Sequence, residues 1–199
     1  MTLRKLLSPL NTADLVTVSF LTFLTVLNLL FYSRVAEWYV LAPLNALGVV
    51  FILFLAHRAE ERKTALFMQI HRWYLYVAVL LVFKELYLMV RPIHPVDYDA
   101  LFISVDRSMF GVNPTEWLAQ FSHPVLTEIL QLGYSSYYVL FIILGIDAYR
   151  THSWQGYDRV AFMVVYGFYL SYLGYFLLPA VGPRFTLHSF ALLNEELPG

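Results

Sequence analysis

Trp73-Tyr74-Leu75-Tyr76-Val77-Ala78-Val79-Leu80-Leu81-Val82-Phe83-Lys84-Glu85-Leu86-Tyr87-Leu88-Met89-Val90-Arg91-Pro92 decides how this chain is read. At helical rise, about 20 mostly apolar residues cross a bilayer, and this stretch is long enough to do so. Two charges interrupt its second half. A cation inside hydrocarbon costs roughly 2.5–3.5 kcal/mol on insertion scales, so Lys84 requires a compensating partner or a task.

Working outward, the whole chain has the composition of a membrane protein. Of its 199 residues 59% are hydrophobic and only 14% charged, against about 45–50% apolar and 25% charged in soluble domains. The net charge of −1 supplies no basic footprint, and no Lys/Arg run interleaves with aromatics, which argues against nucleic acid as a partner. With no cysteine, disulfides, thiolate zinc sites and cysteine nucleophiles are excluded.

Five stretches are long enough to span: Leu15 to Ser33, Trp38 to Ala56, Trp73 to Val90, Ile129 to Ile146 and Val160 to Pro183. Lipid offers no partner for backbone N–H and C=O groups, and no strand-like alternation points to a barrel, so each is expected to be helical. The fold class is therefore all-α, a polytopic membrane helix bundle in a single domain. Pro43 and Gly48 suggest a kink in the second span. Arg4 and Lys5 precede the first span, but its apolar run is too long for a secretory signal, and it reads as a retained anchor.

Arg4, Lys5, Arg58, Arg62, Lys63, Arg72, Arg150 and Arg159 fall on one side of these spans; Arg34, Arg91, Arg107 and Arg184 fall on the other. The excess of cations on the first side predicts a cytoplasmic N-terminus. Arg91 and Arg184, which end the third and fifth spans, would then converge on the outer face of a plasma or bacterial inner membrane.

Between the third and fourth spans, Asp99 to Phe110 places Leu101, Phe102, Val105 and Met109 on one helical face, and Gly111 follows as a stop. Asn113-Pro114-Thr115-Glu116 reads as a second helix start, with Asn113 as cap, Pro114 at the first position and Glu116 reaching back. Both helices are too short to span. They are expected to lie in the interface with Trp117 at headgroup depth, where they could roof a site.

Lys84 and Arg91 are seven residues apart, which puts them on one helical face about 10.5 Å apart along the axis. Pro92 disfavours helical geometry at Arg91, so the helix is expected to end there with the guanidinium turned inward. Glu85 points elsewhere, and Asp14 and Asp147 lie at the opposite ends of their spans. Lys84 is left without an obvious counter-ion. One deep and one rim cation would suit a phosphate, the fork of Arg91 meeting it first and the point charge of Lys84 below. The competing reading is structural: Lys84 ion-paired, Arg91 and Arg184 marking the membrane boundary.

Lys84-x6-Arg91-Pro92 resembles the first signature of the type 2 phosphatidic acid phosphatase superfamily. Val105-Asp106-Arg107-Ser108-Met109-Phe110-Gly111-Val112-Asn113-Pro114-Thr115-Glu116-Trp117-Leu118, Gly133-Tyr134-Ser135-Ser136-Tyr137-Tyr138 and Pro179-Ala180-Val181-Gly182-Pro183-Arg184-Phe185 are similar to its inositol phosphorylceramide synthase-like, inositolphosphotransferase branch. The resemblance implies a membrane lipid phosphatase or phosphotransferase in which Lys84 and Arg91 hold phosphate oxygens, a histidine attacks phosphorus, and a further Arg, His and Asp complete the site. Apart from the resemblance, Arg184, beside Arg91, and Tyr134, at the start of the fourth span, are candidate headgroup contacts by position. The second and third motifs, Pro-Ser-x-His and a later Arg-x5-His-x3-Asp, are missing from these 199 residues.

Phosphohistidine transfer needs a nucleophile and an acid/base partner; cations alone bind charge. The expectation is an N-terminal part of such a domain, inactive by itself, with phosphate-bearing membrane lipids as ligands and a partner chain supplying the missing helices. The alternative is a non-catalytic lipid-binding or assembly subunit. His94, His123 and His188 lie on the expected outer side but outside any nucleophile context, and His57, His71 and His152 read as surface residues. Metal-ligand spacing and nucleotide-binding glycine patterns do not occur, so no metal and no cofactor is expected.

Overall fold

The computed structural model describes residues 3–62, 64–121, 123–151 and 153–182. These form helices throughout: α1 (Leu3–Leu7), α2 (Thr12–Leu30), α3 (Trp38–Arg62), α4 (Ala65–Ile93), α5 (Asp99–Phe110), α6 (Pro114–Ala119), α7 (Pro124–Thr151) and α8 (Trp154–Leu177). Helices α2, α3, α4 and α8 are each long and apolar enough to cross a membrane, and α7 makes a fifth span if its two bent halves are taken as one. The chain is an integral, multi-pass membrane protein.

The helices extend beyond the apolar stretches that announce them. α3 runs on through His57–Arg62 and α4 starts eight residues before Trp73. Hydropathy marks where lipid can be tolerated, whereas backbone hydrogen bonding continues into water. α4 also runs through Arg91 and Pro92 to Ile93, with the His94 N–H donating to the Val90 carbonyl at 2.8 Å. The expected stop at Arg91 is thus corrected: so near a C-terminus Pro92 forfeits one hydrogen bond without breaking a long helix behind it.

α2 and α4 form the centre. α3 packs on both, α8 packs on both from elsewhere, and α7 packs chiefly on α8. Alternating direction puts the α2–α3 turn, the end of α4, α5, α6 and the end of α8 at one end of the bundle, the Arg91 end. There Arg34 Nη1 donates to the Ile93 carbonyl at 3.4 Å, and the Tyr98 N–H donates to the Pro179 carbonyl at 2.9 Å. At the other end the Arg72 guanidinium stacks 3.6 Å over the Trp154 ring. Leu24, Val79, Val82 and Val165 fill the seam between the central helices.

Two glycines make room at helix interfaces, one for a neighbouring helix and one for a tyrosine ring. A Cβ on Gly48 would lie 3.2 Å from Leu21 Cδ1, so this residue admits α2 against α3. α3 stays helical through Pro43 and Gly48. A Cβ on Gly145 would collide with the Tyr76 ring, which stacks on Phe141 of the same helix at 5.8 Å. α7 itself bends by 45° between Tyr137 and Val139. Ser136 Oγ donates to the Gly133 carbonyl at 2.7 Å just before the bend, and a hydroxyl that engages a helical carbonyl is a recognised cause of bending.

α5 and its left-handed cap at Gly111 (φ 72°) match the sequence expectation, and Leu101, Phe102, Val105 and Met109 remain exposed on it. α6 starts at Pro114 after Asn113, but the capping is different. The Asn113 side chain accepts from Arg107 Nε at 2.6 Å and donates to Glu116 at 2.7 Å, so Glu116 engages the amide side chain and not the backbone N–H. The correction has a simple cause: Arg107, on the preceding helix, competes for the Asn113 oxygen that would otherwise cap.

Candidate functional site

Three polar features sit within or at the ends of the spans. The first surrounds Lys84. A cleft of about 460 Å³ opens between α4, α7 and α8, and Leu80, Phe83, Tyr134, Tyr137, Ser171 and Tyr175 contribute to its lining. Lys84 follows Phe83 and lies one helical turn from Leu80, both on the cleft lining, but is not itself part of that lining. Its side chain is exposed, and among the described residues it has no hydrogen bond or ion pair. Tyr134, the predicted headgroup contact, is on the cleft wall and largely exposed.

Arg91 follows two turns later. Instead of turning inward it is 73% exposed and lies 3.7 Å from Asp97, in the loop after α4. The inward expectation fails because the helix does not end at Arg91, and the side chain leaves with the outer turn. Arg184 lies outside the described residues. The segment that leads to it is tied to this end: Asp99, 5% exposed, accepts from the Val181 N–H at 2.9 Å and the Gly182 N–H at 2.7 Å. Gly182, with φ 106°, takes a left-handed conformation that other residues rarely adopt.

The second feature is a buried carboxyl. Glu85 is 7% exposed and faces α2 and α3. Asn28 Nδ2 donates to its Oε1 at 2.9 Å and Asn45 Nδ2 donates to the same oxygen at 2.6 Å. Asn28 and Asn45 are themselves buried. Sequence reading noted that Glu85 points away from Lys84 but missed its partners. The available signal was one asparagine in each of the first two spans, since amides in apolar helices seek partners across the interface.

The third lies at the far end of α2 and α4. Asp14 is completely buried; its carboxylate accepts from the Asn11 N–H at 2.9 Å, from His71 Nε2 at 2.9 Å and from the Tyr74 hydroxyl at 2.6 Å. The Asp14 N–H in turn donates to Asn11 Oδ1 at 2.8 Å, which completes a capping box at the start of α2. His71, expected on the surface, is only 13% exposed. The correction follows from helix length: α4 begins before the apolar stretch, so His71 lies inside the bundle end and not in a loop.

The remaining described histidines make local contacts. His94 Nδ1 bonds the Val96 carbonyl at 3.1 Å, His57 Nδ1 bonds the Leu53 carbonyl at 2.9 Å, and His123 Nδ1 accepts from the Val125 N–H at the start of α7 at 3.3 Å. His152 and His188 lie outside the described residues. A further cleft of about 550 Å³ between α2 and α8, walled by Leu15, Phe23, Tyr166 and Leu170, carries no charged residue. Compared with models of protein families, with curated proteins and with solved structures, the chain has no match.

Proposed function

We propose that the chain is a lipid phosphatase- or phosphotransferase-like membrane protein that binds a phosphate-bearing lipid at the Arg91 end. The observation that carries this reading is Lys84. It is a cation within a span, without an acidic partner among the described residues, one turn beyond a cleft walled by tyrosine and serine hydroxyls. Intramembrane ionisable groups are functional by default. A phosphate held by Lys84 would leave the rest of the lipid beside the aromatic walls, with Tyr134 within the same cleft.

Arg91 is the second cation of this cradle. To reach a phosphate it must leave Asp97, an exposed pair of the kind worth little, about 0–1 kcal/mol. Charge-assisted bonds from a guanidinium to phosphate are stronger and bidentate. The likeness of Lys84-x6-Arg91-Pro92 to the first signature of the type 2 phosphatidic acid phosphatase superfamily, and of Val105–Leu118, Gly133–Tyr138 and Pro179–Phe185 to its inositol phosphorylceramide synthase-like branch, supports the same ligand class. On this reading the site faces the extracytoplasmic side and Arg184 joins it.

Among the described residues, cations are available to bind charge but no histidine is placed for a route through phosphohistidine. His94 and His123 are held in local turns, and His71 is at the opposite end of α4. Binding without turnover by this chain is therefore the expected behaviour, and a non-catalytic lipid-binding or assembly role is the second reading that the same cradle supports. The test is thermal unfolding of the purified protein in detergent with short-chain phosphatidic acid or with the matching neutral diacylglycerol. A ligand that binds only the folded state must stabilise it. Stabilisation by the phosphate lipid alone, lost in Lys84→Ala, is expected. Equal responses to both lipids, or an unchanged response in Lys84→Ala, would remove the proposal.

A further inference from the structure

The geometry points to a small monovalent cation, H⁺ or Na⁺, bound at Glu85 between α2, α3 and α4. Glu85 Oε1 accepts both amide donors, from Asn28 and from Asn45. Its other oxygen, Oε2, has no donor among the described residues. Asn28, with no exposed surface, spends its Nδ2 on Glu85, the Leu24 carbonyl at 3.1 Å and the Met89 sulfur at 3.4 Å, while its Oδ1 is buried without a partner. Two acceptors on hydrogen-bonded neighbours therefore have no donor: Asn28 Oδ1 is fully buried, where an unmet polar atom is costly, while Glu85 Oε2 keeps some accessible surface through which a cation could reach it.

The charge is equally unmet. Groups near Glu85 from α2 and α3 are the neutral Asn28 and Asn45; the ionisable residue of α2, Asp14, is fourteen residues from Asn28, about 21 Å along the helix, and of the charges in the α2–α3 turn, Arg34 donates to the Ile93 carbonyl and Glu37 makes no ion pair with Glu85. The charged residues and the histidine of α3 (His57, Arg58, Glu60, Glu61, Arg62) lie at the opposite end of that helix. On α4, His71 and Arg72 are likewise distant, and Lys84 and Arg91 make no ion pair with Glu85. An ionised carboxylate here would hold a net negative charge against neutral amides. A proton on Oε2 would remove the charge and create the missing donor. A sodium ion would do the same electrostatic work, drawing on Glu85 Oε2 and Asn28 Oδ1 as hard oxygen ligands. Asn28 lies two residues from the end of α2 and Glu85 eight from the end of α4, so a cation would enter from the Arg91 end.

The two cations are separated by two measurements on the purified full chain. Thermal unfolding is compared in sodium chloride and in choline chloride at equal ionic strength, and infrared spectra in sodium-free buffer at neutral pH are compared between the wild-type protein and Glu85→Gln. A sodium-specific rise in midpoint, with apparent Na⁺ affinity reduced at least about tenfold by loss of the carboxylate in Glu85→Gln, supports Na⁺. A protonated-carboxyl band that disappears in Glu85→Gln supports H⁺. Should Glu85→Gln not fold, Asn28→Ala, which deletes Oδ1, serves for both comparisons: it weakens the sodium response or shifts the carboxyl band. A wild-type protein with no sodium response and no protonated carboxyl at neutral pH overturns the inference, since Glu85 would then be an ionised carboxylate without a cation.

Discussion

Lys84 and Glu85 are consecutive residues that serve different parts of the bundle: Glu85 is buried and accepts from Asn28 and Asn45, while Lys84 is exposed, next in sequence to Phe83 on the lining of the α4–α7–α8 cleft. A helix turns about 100° per residue, so one residue step is enough to separate a seam from an open face. Opposite charges adjacent in sequence therefore do not neutralise one another here. Each must be met by something else.

Releasing Arg91 from Asp97 strengthens lipid-phosphate binding on the proposed reading. Asp97→Asn removes an exposed ion pair at 3.7 Å worth at most about 1 kcal/mol, so the gain in affinity is no more than about fivefold. Titration of Asp97→Asn with short-chain phosphatidic acid measures it. A loss of affinity would mean that Asp97 positions Arg91 productively and does not compete for it.

The amide pair around Glu85 ties three helices together. Asn45→Leu leaves Glu85 with one donor and is expected to destabilise the bundle by about 1–3 kcal/mol, the cost of stranding a buried polar group. Asn45→Asp, which sets two carboxyls side by side, should be worse at neutral pH and recover as pH falls. Unfolding midpoints in detergent across pH check both; an insensitive Asn45→Leu would show that the 2.6 Å contact is replaceable.

At the opposite end, Asp14→Ala strands the Asn11 N–H, the His71 ring and the Tyr74 hydroxyl in one step, and abolishes the capping box of α2. The loss is expected to exceed the roughly 1 kcal/mol typical of a cap alone. Asp14→Asn retains one acceptor oxygen and should fall between Asp14→Ala and wild type. Equal midpoints for the two variants would argue that the charge of Asp14, and not its hydrogen bonds, holds this end.

Gly145→Ala places a Cβ into the Tyr76 ring. Overpacking of this kind costs about 1–3 kcal/mol. The double variant Gly145→Ala/Tyr76→Leu removes the obstructing ring and should recover part of the loss. Failure of the pair to show any such coupling would mean that α7 has moved away from α4.

Asp99 fixes the chain after α8 through two backbone N–H groups. Asp99→Ala should raise hydrogen exchange at Val181 and Gly182 by about tenfold or more, while α2 and α4 stay protected, because a local tie opens without global unfolding. Unchanged exchange at those two amides would show that the Tyr98–Pro179 bond suffices.

The sequence by itself determined the class, the order of the apolar helices, and the amphipathic α5 with its Gly111 stop. These follow from local chemistry: lipid forces each apolar stretch to satisfy its own backbone, and glycine alone is at ease in the left-handed cap. It also singled out Lys84. What only the tertiary structure decided was which polar residues meet. Asn28 and Glu85 are 57 residues apart, as are Asp14 and His71, and the face each helix turns to its neighbours depends on where Gly48 lets α3 close on α2 and Gly145 admits the Tyr76 ring. Arg91 reads as inward-facing from Pro92 alone; the continued helix and the nearby Asp97 send it outward. Spacing along one helix fixes relative direction, but the absolute direction of a side chain is set by the helices packed around it.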